Sequence, residues 1–166
     1  IKVISTNGSP IEYLAICLFG FGMILLYSAS ATYHSVISSD KVIMKLKKLD
    51  HSMIFMLILG SYAPFCLVAL HNSIGYALFA AVAIASVIGI IFKLLWVTCP
   101  RWLSSVIYIT VGWFAAFAIY PLSQVLAKPS LILLVLGGVL YSIGGIIYAL
   151  KKDSIKIGVF LSLIHI

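Results

Sequence analysis

Residues 74–95 read IGYALFAAVAIASVIGIIFKLL, and this stretch decides the fold class. It carries one fixed charge, Lys93, close to its end. Its length matches the ~20 apolar residues with which a helix crosses a hydrocarbon core of ~30 Å. Period-two alternation is absent, so a membrane β-strand does not fit. Backbone groups in lipid must be bonded within the segment, which leaves the α-helix.

Four further runs of this kind lie at 14–33, 53–70, 103–122 and 131–150. The whole chain is 63% hydrophobic and 9% charged, with a mean hydropathy of +1.21. A soluble domain needs roughly 25% charged residues to cover its surface. This chain cannot cover itself, so lipid is its solvent. The expected fold is an all-α integral membrane bundle with five full transmembrane helices in one domain, residues 1–160.

The formal charge of +7 does not point to nucleic acid, because the cations sit in short connections between apolar runs rather than on one face. Lys41, Lys45, Lys47 and Lys48 follow the first run. Lys93 and Arg101 mark the third-to-fourth connection, and Lys151, Lys152 and Lys156 follow the fifth run. The alternate connections hold only Lys2 and Lys128. By the positive-inside rule the loop 38–49 is cytoplasmic and His71-Asn72-Ser73 external. The expected location is a bacterial plasma membrane, crossed several times.

Local signals mark the helix ends. Ser9-Pro10-Ile11-Glu12 fits a capping box with proline at the first helical position. Pro129 opens the last run and Pro100 separates the third from the fourth. Pro64, inside the second run, is expected to kink it. Cys17, Cys66 and Cys99 are far apart, with no CxxC pair, and imply neither a disulfide framework nor a cysteine metal site. The chain opens Ile1-Lys2-Val3 without a methionine or signal peptide, as a loop entered midway would. Residues 161–166 correspond to CTG TCT CTT ATA CAC ATC, which resembles a transposon-end adapter, and are expected to be a non-native tail.

Ionisable groups inside membrane segments are costly and are candidates for function. Three polar residues meet at one boundary. Ser30 and His34, four apart, share a helix face. Asp50 opens the next helix, so it lies at a similar depth. Imidazole suits zinc, and a carboxylate orients or deprotonates a bound water. One histidine is not a complete site, since a catalytic zinc takes three protein ligands. Simpler readings stand beside this one. Asp50 suits a helix N-cap, His34 suits an interface, and Ser30 can return a hydrogen bond to the preceding turn. His51 and His71 read as interfacial. Gly138, Ser142 and Gly145 form a small-residue stripe that favours close helix packing. Tyr108, Trp113 and Tyr120 read as interface anchors or core aromatics. There is no phosphate loop, nucleophile elbow or His-Glu-x-x-His.

Ser30-Ala31-Thr32-Tyr33-His34-Ser35, Lys48-Leu49-Asp50-His51 and Gly60-Ser61-Tyr62-Ala63-Pro64-Phe65 resemble consecutive signatures of the hemolysin III family. Tyr108 with Gly112-Trp113, and Leu136-Gly137-Gly138 with Tyr141, Gly144 and Tyr148-Ala149-Leu150, continue the resemblance from Glu12 to Phe160. That family is related to the adiponectin and progestin receptors. The resemblance implies a seven-helix bundle with a zinc site near its cytoplasmic side. It assigns His34 as a zinc ligand, with Asp50 and Ser30 as catalytic residues. The family's other ligands form a His-x-x-x-His pair on the last helix, which this sequence lacks. The chain therefore resembles helices two to six of seven. The implied functions are a zinc-dependent hydrolase acting on a lipid amide or related bond, a membrane sensor with structural zinc, or the cytolysin of the family name. The expected partners are the lipid bilayer and a lipid substrate, with no nucleic acid, and the oligomeric state is left open.

Overall fold

The computed structural model describes residues 9–150, and the basic segment 151–156 and the tail 161–166 lie outside the described residues. The described chain is helical throughout. Its elements are α1 (Pro10–Ser35), α2 (Asp40–Ala63) continuing as a π-helix (Pro64–Leu70), α3 (Ser73–Leu95), α4 (Arg101–Gly112), a 3-10 segment (Trp113–Ala118), α5 (Ile119–Val125) and α6 (Lys128–Leu150). These make five spans long and apolar enough to cross a membrane, as the hydrophobic runs predict.

The expected capping box opens α1. Ser9 Oγ accepts the Glu12 amide at 3.3 Å, and Glu12 Oε2 accepts the Ser9 amide at 3.1 Å. The second span departs from expectation. Its basic residues do not form a loop: the helix starts at Asp40, with Ser39 at the N-cap, and runs through Lys41, Lys45, Lys47 and Lys48. No Gly or Pro interrupts 40–59, so the helix extends about 20 Å beyond the apolar run expected to begin at residue 53. Asp50 is therefore inside a helix, and the N-cap reading is overturned.

Pro64 marks a change of pitch. It has no amide hydrogen and crowds the carbonyl four residues back, and the chain continues from it in π form to Leu70. His71 closes the segment in the left-handed region (φ 40°), with Nδ1 3.0 Å from the Leu67 carbonyl. It sits at the opposite end of the bundle from His34, as expected.

The break in the fourth span has a different cause. The Tyr62 hydroxyl donates to the Gly112 carbonyl at 2.6 Å and accepts the Ala115 amide at 2.8 Å. A side chain inserted into the helix ladder takes over its hydrogen bonds and alters the local pitch.

The core forms around α2. Phe55, Ile58, Tyr62 and Cys66 pack with Val82 of α3 and with Tyr108 and Val111 of α4. Helix α6 lies against α4 and has no buried residue. Its small-residue stripe is used in part. Gly145 faces the Ile109 side chain, and Ser142 accepts the Trp113 indole N–H at 2.7 Å, whereas Gly138 has nothing near the position of a Cβ. Tyr108 is a core aromatic, and Tyr120 is exposed.

Candidate functional site

The pairing of α1 with α2 is set by two glycines. A Cβ on Gly22 would stand 2.9 Å from the Met56 carbonyl oxygen, and one on Gly60 would stand 2.7 Å from that of Leu18. Backbone therefore meets backbone, the close approach that small residues allow in lipid. Continuing this antiparallel register at equal rise per residue sets Ser28 and Ala29 opposite Asp50, with Ser30 next in line, and His34 opposite Met44 and Lys45. Cα–Cβ bonds tilt toward the N-terminus of their own helix. In an antiparallel pair His34 and Asp50 thus lean toward each other across an offset of about one and a half turns, ~8 Å. Ser30 is half-buried, His34 is exposed, and Asp50 is 8% exposed. The hydrogen bond back to the preceding turn is made by Thr32, whose Oγ1 donates to the Ser28 carbonyl at 2.7 Å, and not by Ser30.

Asp50 has little local compensation. Its Oδ2 lies 3.2 Å from His51 Nδ1, yet that nitrogen has no aligned hydrogen-bond partner. We take the pair as a proximity of sequence neighbours rather than a hydrogen bond, because the angle and not the distance decides. Buried polar side chains gather at this end of the bundle. Asp50 and Ser52 lie in the first half of α2, Lys93 at the end of α3, and Ser104 and Ser105 at the start of α4; Ser86 lies two turns before Lys93. Lys93 is 0% exposed. Its Nζ donates to Ser104 Oγ at 2.5 Å and Cys99 Sγ at 3.1 Å, and lies 5.5 Å from the centroid of the Tyr108 ring. The Tyr108 hydroxyl donates to the His51 carbonyl at 3.0 Å.

Ser30, His34 and Asp50 stand out in the sequence as polar residues at one boundary; Lys93, Ser104 and Tyr108 at this end of the bundle do not, and Lys93 reads there as a topology cation. The missed signal is the face it shares: Val82, Ser86, Gly89 and Lys93 follow helical spacing, and all are buried.

The profile of the haemolysin-III related family matches residues 1–161. The chain belongs to this family. A Bacillus subtilis (strain 168) relative, "Hemolysin-3 homolog", is 39% identical over 145 residues, covering 87% of this chain and 68% of the relative. "Hemolysin-3" of Bacillus cereus is 38% identical over 148 residues, covering 89% of this chain and 67% of the relative. No solved structure matches the chain significantly. With five candidate spans, this haemolysin-III related chain is a multi-pass integral membrane protein.

A zinc ion suits part of this donor set. The buried Asp50 carboxylate has only the neighbouring His51 imidazole close to it, and the His34 imidazole, about one and a half turns away on the facing helix, offers a further nitrogen. His34 and Asp50 would hold or flank the ion, with Ser30 beside them. No three His, Cys, Asp or Glu side chains come together among the described residues.

Proposed function

We propose that this chain forms part of a zinc-dependent membrane hydrolase acting on a lipid amide or related bond. The observation that carries this reading is Asp50, a carboxylate buried within a helix, capping nothing, within a turn of Ser30 and about one and a half turns from His34 on the facing helix. A buried intramembrane carboxylate is expensive, and such residues are candidates for chemistry. Zinc, when bound, polarises a carbonyl and acidifies water. Asp50 would orient an attacking water and accept its proton at a carboxylate oxygen. Ser30 supplies a hydroxyl at the same level to hold the water or the substrate oxygen. His34 would contribute one ligand, and the family resemblance implies a His-x-x-x-His pair for the others. In our orientation this end faces the cytoplasm of a bacterial cell. The experiment is fatty-acid release from a lipid amide by the full-length, zinc-loaded protein. Asp50→Asn is expected to lose turnover while retaining metal, and normal turnover by that variant removes Asp50 from the chemistry.

The relatives' names favour a second reading, membrane lysis. A pore should show a continuous polar stripe along several helices. The long faces of α1, α3 and α6 are instead exposed Leu, Ile, Val and Phe. Dye leakage from liposomes at the concentrations that support hydrolysis would favour lysis.

A further inference from the structure

We infer that Lys93 and Tyr108 are the positioning residues of this site, fixing the Asp50 turn of α2 from the α3–α4 side; the inference rests on the zinc reading above. A lysine inside a membrane span is costly. Lys93 is fully enclosed, and no carboxylate pairs with it among the described residues. Its donors go to Cys99 Sγ and Ser104 Oγ, which lie 3.2 Å from each other. These contacts clip the end of α3 to the connecting turn and to the start of α4. Tyr108 is one turn beyond Ser104 on the same face of α4. The Lys93 ammonium over its ring is therefore a second hold on that face, at cation–π distance.

The Tyr108 hydroxyl carries the constraint onward. It donates to the His51 carbonyl, one residue from Asp50, and so pins α2 at the site. Phe55 completes the arrangement. Its ring centroid lies 4.9 Å from that of Tyr108, and it occupies the space a side chain at Gly89 would need. Neither Lys93 nor Tyr108 hydrogen-bonds the Asp50 carboxylate. Both act through the backbone of α2, as outer partners do when they orient a ligand they support.

Cobalt(II) absorption of the full-length protein tests this, because the visible band reports coordination geometry and not merely folding. Tyr108→Phe removes one oxygen and keeps the ring. Lys93→Met removes the ammonium and keeps the length. Both are expected to shift the band and to weaken cobalt binding roughly 10- to 100-fold. Phe92→Leu alters the other ring near Lys93 and is expected to leave the band in place. If Lys93→Met does not fold, Tyr108→Phe against Phe92→Leu carries the comparison alone. Native-like band and affinity in Tyr108→Phe, or an equal shift in Phe92→Leu, overturns the positioning role and leaves the metal reading standing. Failure of the unsubstituted protein to take up cobalt or zinc overturns both.

Discussion

The Tyr62 hydroxyl bridges the Gly112 carbonyl and the Ala115 amide, so a side chain of the second span completes the backbone ladder of the fourth. In the apolar interior neither backbone group has water to turn to. Tyr62→Phe is expected to cost about 1–3 kcal/mol, the penalty for leaving buried polar groups unpaired. Unfolding in mixed detergent micelles measures the loss, and hydrogen exchange should accelerate at Ala115. Unchanged stability and exchange would show that the ladder closes without Tyr62.

The glycines of the α1–α2 contact give a second test. Gly60→Ala places a Cβ 2.7 Å from the Leu18 oxygen and 3.1 Å from the Phe19 Cα, so backbone must move. A loss of about 1–3 kcal/mol is expected, typical of overpacking. Gly137→Ala meets nothing within 4 Å and should be near neutral or slightly stabilising. The two variants compared by the same unfolding assay check the register that brings Ser30 to Asp50. Equal effects would contradict it.

The basic segment after α1 should behave as a helix exposed on one side. Single cysteines introduced at Lys41 and Lys45 in a cysteine-free background should label faster than those at Ile43 and Leu46, which are half-buried. Reagent supplied only from the cytoplasmic side should reach position 41 and not position 72. Uniform labelling across 41–46 would restore the loop, and labelling of 72 from that side would invert the topology.

The spans were legible because apolar length against bilayer thickness is a strong signal and needs no tertiary context. The Ser9–Glu12 cap was legible because it is local. The start of α2 was not, since hydropathy falls where the lysines begin while the helix continues to Ser39. A hydropathy boundary is the edge of a membrane segment and not the end of a helix. The 3-10 segment was invisible because its cause, Tyr62, is some 50 residues away. At the site, Ser30, His34 and Asp50 stood out as polar residues near one boundary. Lys93 was hidden by the rule that reads cations as loop markers, and only its contacts with Cys99, Ser104 and Tyr108 show that it points inward.

The central claim, carried by the proposed function, is that His34 is a zinc ligand. Zinc content of purified protein, measured at equal concentration for the full-length chain, its His34→Ala variant and residues 1–166, tests it most directly. The expected result is about one zinc per full-length chain and little in the other two, because removing ligands opens the closed coordination that gives zinc its affinity. Stoichiometric zinc in full-length His34→Ala, or in residues 1–166 alone, would contradict the placement of the site.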